Sequence, residues 1–402
     1  MLKIIISAFF FYAFLGHAQS IQGIVIDSLT QQPVSLVNIY TDKNGTSTNS
    51  EGLFLMEIKK YPLELTISHI AYKTKKIIME ENPAKSMKIG LVPKVISLPE
   101  IVINDIGYKI AKKALEKLLH SKSSSIGKAF YRQVTKNNSS PSEFIETFNE
   151  VAFNSSGIAK YGIEEARYAR TKSSKDSVRA FFTNFSYFSF GFYLSPRPQS
   201  TSKKTDSRKS IIKPFSPDFF DLFYYTLRGY FEQNSIKYAL IDYEPLPNVN
   251  GPTLNGSFTV NLDTYGVINF IARTTNSLGA DSLRPSKIPM KNHYFEWTVN
   301  FEDRPDPCLN SINATGSFEF SYKDHVKKVL INSTLIIFEK GGKNNKKLKE
   351  PDFKQNDIER IKKKRYNAKF WKDNPIIKRT QFEEEAISSF EKSNSFGSYV
   401  DH

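Results

Sequence analysis

The residues best equipped for chemistry are few and scattered. His293-Tyr294-Phe295-Glu296 spells H-x-x-E, two metal-ligating side chains three positions apart. Around them, however, Phe295, Trp297, Val299 and Phe301 alternate with Glu296, Thr298 and Asn300. On a strand that alternation sends 293 and 296 to opposite faces, where they cannot share an ion. His293 keeps the parity of Phe295 and Trp297 and reads as a rim or core histidine. His69, His120, His325 and His402 show no ligand spacing. No G-x-S-x-G elbow occurs to present a serine nucleophile. Cys308, between Pro307 and Leu309, reads as a small apolar residue in a loop. A single cysteine also excludes an intramolecular disulfide or a multi-cysteine metal site. Sugar cleavage needs two carboxyls about 5–9.5 Å apart. Glu143, Glu146 and Glu150, or Asp218 and Asp221, supply the residue types, with solvated surface acids as the plain alternative. The sequence therefore names no catalytic residue, no metal ligand and no cofactor.

Binding is better represented. Tyr187, Phe188, Phe190, Phe192 and Tyr193 form one aromatic run, and Phe219, Phe220, Phe223, Tyr224 and Tyr225 a second. Aromatic rings stack on sugars and anchor protein surfaces, so both runs are candidate ligand or partner contacts. Filling the core of a large curved sheet is the other reading. Between the runs, Ser195 to Lys213 is polar and basic, and is expected to be a contact arm or lid. Lys346 and Lys347, then Arg360, Lys362, Lys363, Lys364 and Arg365, are candidate contacts for anionic lipid or polysaccharide. A solvated basic face is the alternative.

These residues sit in a chain of 402 residues with a net charge of +15, 13% aromatic and 24% charged. That composition is globular, favours sheet and excludes an acidic disordered chain. Met1-Leu2-Lys3 followed by a nearly unbroken apolar run from Ile4 to Leu15, then Gly16-His17-Ala18, has the form of a signal peptide over 1–18. About 12 apolar residues are too few to span a bilayer, and no later segment is long enough, so no transmembrane helix is expected after cleavage. Export to the periplasm or outer-membrane surface makes nucleic acid an unsuitable partner despite the charge.

Residues 19–104 read as short strands at turn-punctuated intervals: 21–27, 37–40, 53–56, 63–70 and 75–79. Asn44-Gly45 is expected to make a tight primed turn. Ile106, Ile110, Ala114, Leu115, Leu118 and Leu119 then recur at helical spacing among lysines, predicting an amphipathic helix over about 105–121. It suits either a membrane surface or a neighbouring sheet. From 122 to 340, Phe258, Val260 and Leu262 alternate with Ser257, Thr259 and Asn261, and Phe318, Phe320 and Tyr322 with Ser317, Glu319 and Ser321. Such segments predict long antiparallel strands with one face buried and one facing water. A basic region, 341–402, closes the chain with a short acidic helix over about 381–392.

The run Gln22-Gly23-Ile24-Val25, Pro33-Val34, Val37-Asn38-Ile39, Gly45-Thr46, Asn49-Ser50-Glu51-Gly52-Leu53-Phe54 and Ser68-His69-Ile70-Ala71-Tyr72 resembles the carboxypeptidase regulatory-like domain. Ala71 stands where that family usually has glycine. The resemblance implies a transthyretin-like, seven-stranded sandwich that accompanies enzymes and TonB-dependent receptors without doing chemistry itself. Lys128-Ala129-Phe130-Tyr131-Arg132-Gln133, with Phe144-Ile145-Glu146, resembles a domain found behind it in Bacteroidota envelope proteins, as does Phe370-Trp371 through Ile376-Ile377. Gly256 to Asp263 resembles part of the half-barrel of lipoprotein carriers. Asp27-Ser28-Leu29, Asp176-Ser177-Val178 and Asp281-Ser282-Leu283 resemble O-glycosylation sites of Bacteroidota periplasmic proteins.

The reading is thus a mainly β chain: a sandwich, a connector helix, a larger half-barrel-like antiparallel sheet and a short helical tail. Its expected role is that of an exported, non-catalytic envelope protein, an accessory or binding module for an outer-membrane partner, a glycan or an amphiphile. An envelope hydrolase acting on glycan or peptide is the alternative.

Overall fold

The computed structural model describes residues 19–58, 60–95, 104–121, 124–138, 140–171, 212–251, 253–275, 290–322, 325–342, 348–350, 357–374 and 376–397. The expected signal peptide, the run Tyr187–Tyr193, the arm from Ser195 to Ile211, Lys346, Lys347 and the tripeptides at 176 and 281 lie outside these residues.

The first layer pair is a sandwich. β1 (Gln19–Asp27) lies between β4 (Leu53–Ile58) and β7 (Met87–Leu91), antiparallel to the former and parallel to the latter. Facing them, β2 (Asn38–Tyr40), β3 (Gly45–Ser47), β5 (Leu63–His69) and β6 (Tyr72–Met79) form a four-stranded sheet in the order β3-β2-β5-β6. Period-two burial drives it: in β4 Phe54, Met56 and Ile58 point inward, meeting Val25, Ile39 and Ile67 in one core. The hairpin between β2 and β3 turns at Asp42-Lys43, where the Thr41 N–H donates to the Asn44 carbonyl. Gly45 therefore begins a strand rather than occupying the turn expected of Asn-Gly. Gly52 does need its freedom, since at φ +72° a Cβ would fall 2.7 Å from the Val25 carbonyl oxygen.

α1 (Asn104–His120) follows. Ile110, Ala111, Ala114, Leu115 and Leu118 form its buried stripe, so the amphipathic helix covers the following sheet. Gly107 sets how close it comes: a Cβ there would meet the Tyr225 carbonyl oxygen at 2.2 Å.

The large sheet has ten antiparallel strands: β8 (Ser125–Asn137), β9 (Ser140–Asn154), β10 (Gly157–Arg170), β11 (Phe223–Gln233), β12 (Ile236–Pro245), β13 (Thr253–Asn261), β14 (Val267–Thr275), β15 (Met290–Glu302), β16 (Cys308–Tyr322) and β17 (His325–Lys340). Its order is β10-β9-β8-β17-β16-β15-β14-β13-β12-β11, so the first and last strands pair in the interior and two meanders run outward from them. β9 and β10 approach β16 across the sheet, which is therefore strongly curved. The concave side holds the main core, including Tyr131, Phe153, Phe258, Phe270, Trp297 and Leu335, and is filled by α1 and the segment around Phe215.

Two covers lie on the convex side. α3 (Ala368–Asp373) and α4 (Gln381–Lys392), preceded by α2 (Asp357–Ile361), bring Trp371, Ile377, Ile387 and Phe390 onto Phe130, Phe144 and Phe148. α4 starts with a capping box, Thr380 accepting from the Glu383 N–H and the Glu383 carboxylate from the Thr380 N–H. The sandwich covers the other half, through an Asn38–Ser311 side-chain hydrogen bond of 2.9 Å and a β3 edge against β17. Residues 376–381 join the covers, with Thr46 donating to the Ile376 carbonyl and Asn49 to the Lys378 carbonyl. One transverse row of paired residues, Phe148, Phe130, Ile336, Ser311, Asn300 and Asn269, crosses the convex face from aromatic to amide.

That row corrects one expectation from the sequence. Part of the polar side of the alternating strands does not face water: Ser257, Thr259, Asn261, Ser311 and Asn313 are buried, whereas Thr315 and Ser321 are exposed as expected. Alternation distinguishes two faces of a strand but not what lies over the polar one.

Candidate binding site at the seam between sandwich and sheet

Where the sandwich meets the convex face, a cavity of about 290 Å³ remains. One wall is the β2-β5-β6 sheet with Asn38, Tyr40 and His69, continued by Lys94 just beyond β7. The opposite wall comes from strand ends of the large sheet: Phe231 and Tyr238 around the β11–β12 turn, Asp303 after β15 and Asn310 in β16. The Thr74 N–H donates across the seam to the Gln233 side chain at 3.2 Å, and within the sandwich half the Lys94 N–H donates to the Ala71 carbonyl at 2.9 Å. A bulge between Asn300/Ser311 and Phe301/Leu309 shifts the register at this end of the sheet.

The polar groups of the walls fall into two sets. Asp303 is engaged, accepting from the Tyr238 hydroxyl at 2.5 Å and from the Asn261 amide at 2.8 Å. Asn269 donates to Asn300 and Asn300 to Ser311, a relay along the convex row. Against these, Asn310 is only 4% exposed, yet its amide has no partner among the described residues. The Asn38 amide nitrogen and the Tyr40 hydroxyl are likewise left to the cavity. The Ala71 N–H donates to His69 Nδ1, which places the ring proton on Nε2 as a further donor.

Burial decides the charges. It pushes His69 down to about 4, helped by the neighbouring Lys94, so the imidazole is neutral. Burial also pushes the Lys94 amine down to about 8, with Asp303 pulling partly the other way. The Lys94 ammonium sits 4.3 Å over the Phe231 ring, whose rings stack with Tyr238 at 4.9 Å. The cavity therefore presents one weakly compensated cation, several neutral polar groups and a carboxylate held by Tyr238 and Asn261.

The sandwich half of this site carries its own signature. Asp27, at the end of β1, accepts from the Leu29 and Thr30 N–H groups and from the Tyr72 hydroxyl, tying the first strand to the close of the β5–β6 hairpin. Residues 21–103 are a CarboxypepD_reg-like domain. The regulatory-like domain thus contributes a wall of the cavity as well as a cover for the sheet. No curated protein matches the chain. Among solved structures, the chain is similar to a DUF1329 family protein from Desulfovibrio piger, with 9% identity, 58% of this chain and 92% of that one covered, and a TM-score of 0.22. It is similar to a LolA superfamily protein from Nitrosomonas europaea at 9% identity, covering 58% and 94% with a TM-score of 0.19. A protein of unknown function from Bacteroides fragilis follows at 10% identity, covering 80% and 98% with a TM-score of 0.16. Likenesses this slight carry no functional information.

The described residues singled out by sequence as contacts lie elsewhere than at the regulatory-like domain's seam. In the second aromatic run, Phe220, Phe223 and Tyr225 are core residues, and Phe219 packs against them. Burial under α1 corrects the expectation of a contact surface there, with Tyr108 edge-on to Phe220 at 5.3 Å; Tyr224, 50% exposed, projects outward. In the basic stretch the Arg360 guanidinium lies 4.2 Å over Tyr161 and Lys362 pairs with Glu359, while Lys363 and Arg365 are exposed and Lys364 half-buried. Cys308 opens β16 rather than a loop and is buried, its thiol donating to the Ser125 hydroxyl.

Glu296 is held by Arg273 at 2.5 Å and by the Tyr294 hydroxyl, apart from His293, and no metal-binding cluster occurs among the described residues. Glu143 and Glu146 have opposite parity in β9, and Asp221 accepts from Tyr108. Ser28 is half-buried beside the Asp27 turn.

Glu146 instead anchors the other half of the convex face. Arg132 and Arg167, its direct cross-strand neighbours, each donate through Nε at 2.6 Å. Burial alone would raise the Glu146 carboxyl, but Arg167, Arg132 and Arg379 together hold it below its usual range. Arg167 also lies 4.8 Å over Trp371 and 5.3 Å over Phe144. Sequence reasoning missed both Lys94 and the asparagines of the seam. Asparagine at alternate strand positions, as at Asn261, Asn269 and Asn300, was their available signal.

Proposed function

We propose that the chain is an exported, non-catalytic binding protein of the cell envelope that takes its ligand at the seam between the regulatory-like sandwich and the large sheet. One observation carries this reading: a cavity at a domain junction whose two walls present amide, hydroxyl and ammonium groups to the enclosed space. Junctions between domains are also where ligand clefts concentrate. The apolar stretch after Lys3 supports export, and no helix among the described residues is long and apolar enough to cross a membrane. The exposed Lys363 and Arg365 would add attraction to an anionic envelope surface.

The carboxylates do not favour hydrolysis. Glu146 is clamped between guanidiniums, and Asp303 is the one carboxylate in the cavity lining, so no acid–base pair faces that space. The test has two parts. Intact mass of the protein recovered from the envelope should give a chain beginning at Gln19; an uncleaved chain in the cytosol would overturn the address. A glycan panel applied to the full mature chain should give saturable binding that Asn310→Trp, which fills the cavity, abolishes. Binding unaffected by Asn310→Trp would overturn the seam as the site.

A further inference from the structure

The seam cavity has a charge character that narrows its ligand, and this inference rests on the reading of the seam as a binding site. Lys94 is the one cation aimed into the cavity without an ion pair among the described residues; Lys76, on β6, is paired with Glu64 at 2.7 Å. Asp303 faces the same cavity but makes no ion pair with Lys94, its carboxylate being held by Tyr238 and Asn261. The aromatic contact that Lys94 makes instead is a weak substitute for an anion. Around it the available groups are mostly donors: the His69 Nε2–H, the Asn38 and Asn310 amides and the Tyr40 hydroxyl. An excess of donors beside an under-compensated cation is the complement of an oxyanion.

The remaining lining narrows the class. Thr66, Ser68 and Gln233 supply neutral hydroxyl and amide groups around the same cavity. At about 290 Å³ it is at the small end for ligand sites and suits one sugar ring rather than a chain of residues. Both faces of Phe231 are occupied, by Lys94 and by Tyr238, so recognition runs through hydrogen bonds rather than ring stacking.

We propose that the seam cavity binds a carboxylated sugar unit, its carboxylate against Lys94 and its hydroxyls against Asn38, Asn310 and the β5 hydroxyls. Binding then depends on the protonation of Lys94, with His69 from β5, Lys76 from β6, Tyr40 from β2, Tyr238 from β12 and Asp303 facing the same space. Since the Lys94 amine titrates near 8, affinity holds below that value and falls as pH rises through it.

Calorimetric titration of the full mature chain with galacturonate and, separately, with galactose tests this. Galacturonate should bind at least about tenfold tighter than galactose at pH 7, and lose about tenfold or more by pH 10. Lys94→Met should remove that preference while the thermal midpoint stays within a few degrees of the parent. Lys94→Arg, which keeps the charge, should retain the preference and lose the pH dependence below 10. Equal binding of the two sugars, still abolished by Asn310→Trp, would overturn the carboxylate while leaving the seam as a site. Absence of binding by either sugar, with the glycan panel also blank, would overturn both readings.

Discussion

The convex face of one sheet carries two buried polar regions that differ in a single respect. Under the C-terminal helices, Arg132, Glu146 and Arg167 are packed among Phe144, Trp371 and Phe396, and the carboxylate is bound from both sides. Under the sandwich, Asn310, Asn38 and Lys94 line an open cavity. Both regions are buried and polar, so burial alone does not mark a site. Access does: a network packed under helices holds architecture together, whereas polar groups beside a cavity can meet a ligand.

Substitutions should separate the two regions. The largest effect is expected at Glu146→Ala, which strands two buried guanidiniums and should cost about 3–5 kcal/mol in urea unfolding, without a specific effect on ligand affinity in whatever folded fraction remains. Trp371→Ala, removing a buried indole from the same cluster, should cost about 3 kcal/mol by the same measurement. If either change proved neutral, the packed region would not be the structural half of the comparison.

Titration gives a middle-sized effect. His69 is neutral in the folded chain with a value near 4, against 6.5 when unfolded, so the unfolded state binds more protons between those values. Stability should therefore fall as pH drops from 6.5 toward 4, and His69→Gln should flatten that part of the profile. Lys94 acts in the alkaline window: its value falls from 10.5 to about 8, so stability should rise between 8 and 10.5, and Lys94→Met should remove that rise. Thermal midpoints recorded across pH check both. A smaller loss, about 1 kcal/mol, is expected for Thr380→Ala, which deletes the cap of α4. Smallest of all, Asn310→Ala should change stability by about 0.5 kcal/mol or less while weakening the ligand, the reverse of Glu146→Ala.

Much of the fold was legible because strands and helices declare themselves locally. The alternation through Phe295, Trp297, Val299 and Phe301, the helical spacing of Ile110, Ala114 and Leu118, and the Gly52-Leu53-Phe54 hairpin close each depend on residues a few positions apart. The seam was not legible for the opposite reason. Asn38 and Ser311 meet across 273 residues, and Thr74 and Gln233 across 159. Nothing in a strand's own period shows which part of its polar face another domain will cover. The aromatic run at 219–225 misled in the same way: Phe220 and Tyr225 look like a contact surface until α1, more than 100 positions earlier, is laid over them.

The most direct test of the account is to watch the asparagine side chains of the seam. With selective isotope labelling of asparagine, the side-chain amide signals of Asn38 and Asn310, the latter assigned by its loss in Asn310→Ala, can be followed during addition of galacturonate. The account predicts that both signals shift saturably with a common affinity while that of Asn374, whose amide donates to the Phe370 carbonyl at 2.8 Å, stays fixed. Saturable binding that leaves Asn38 and Asn310 unmoved would contradict it.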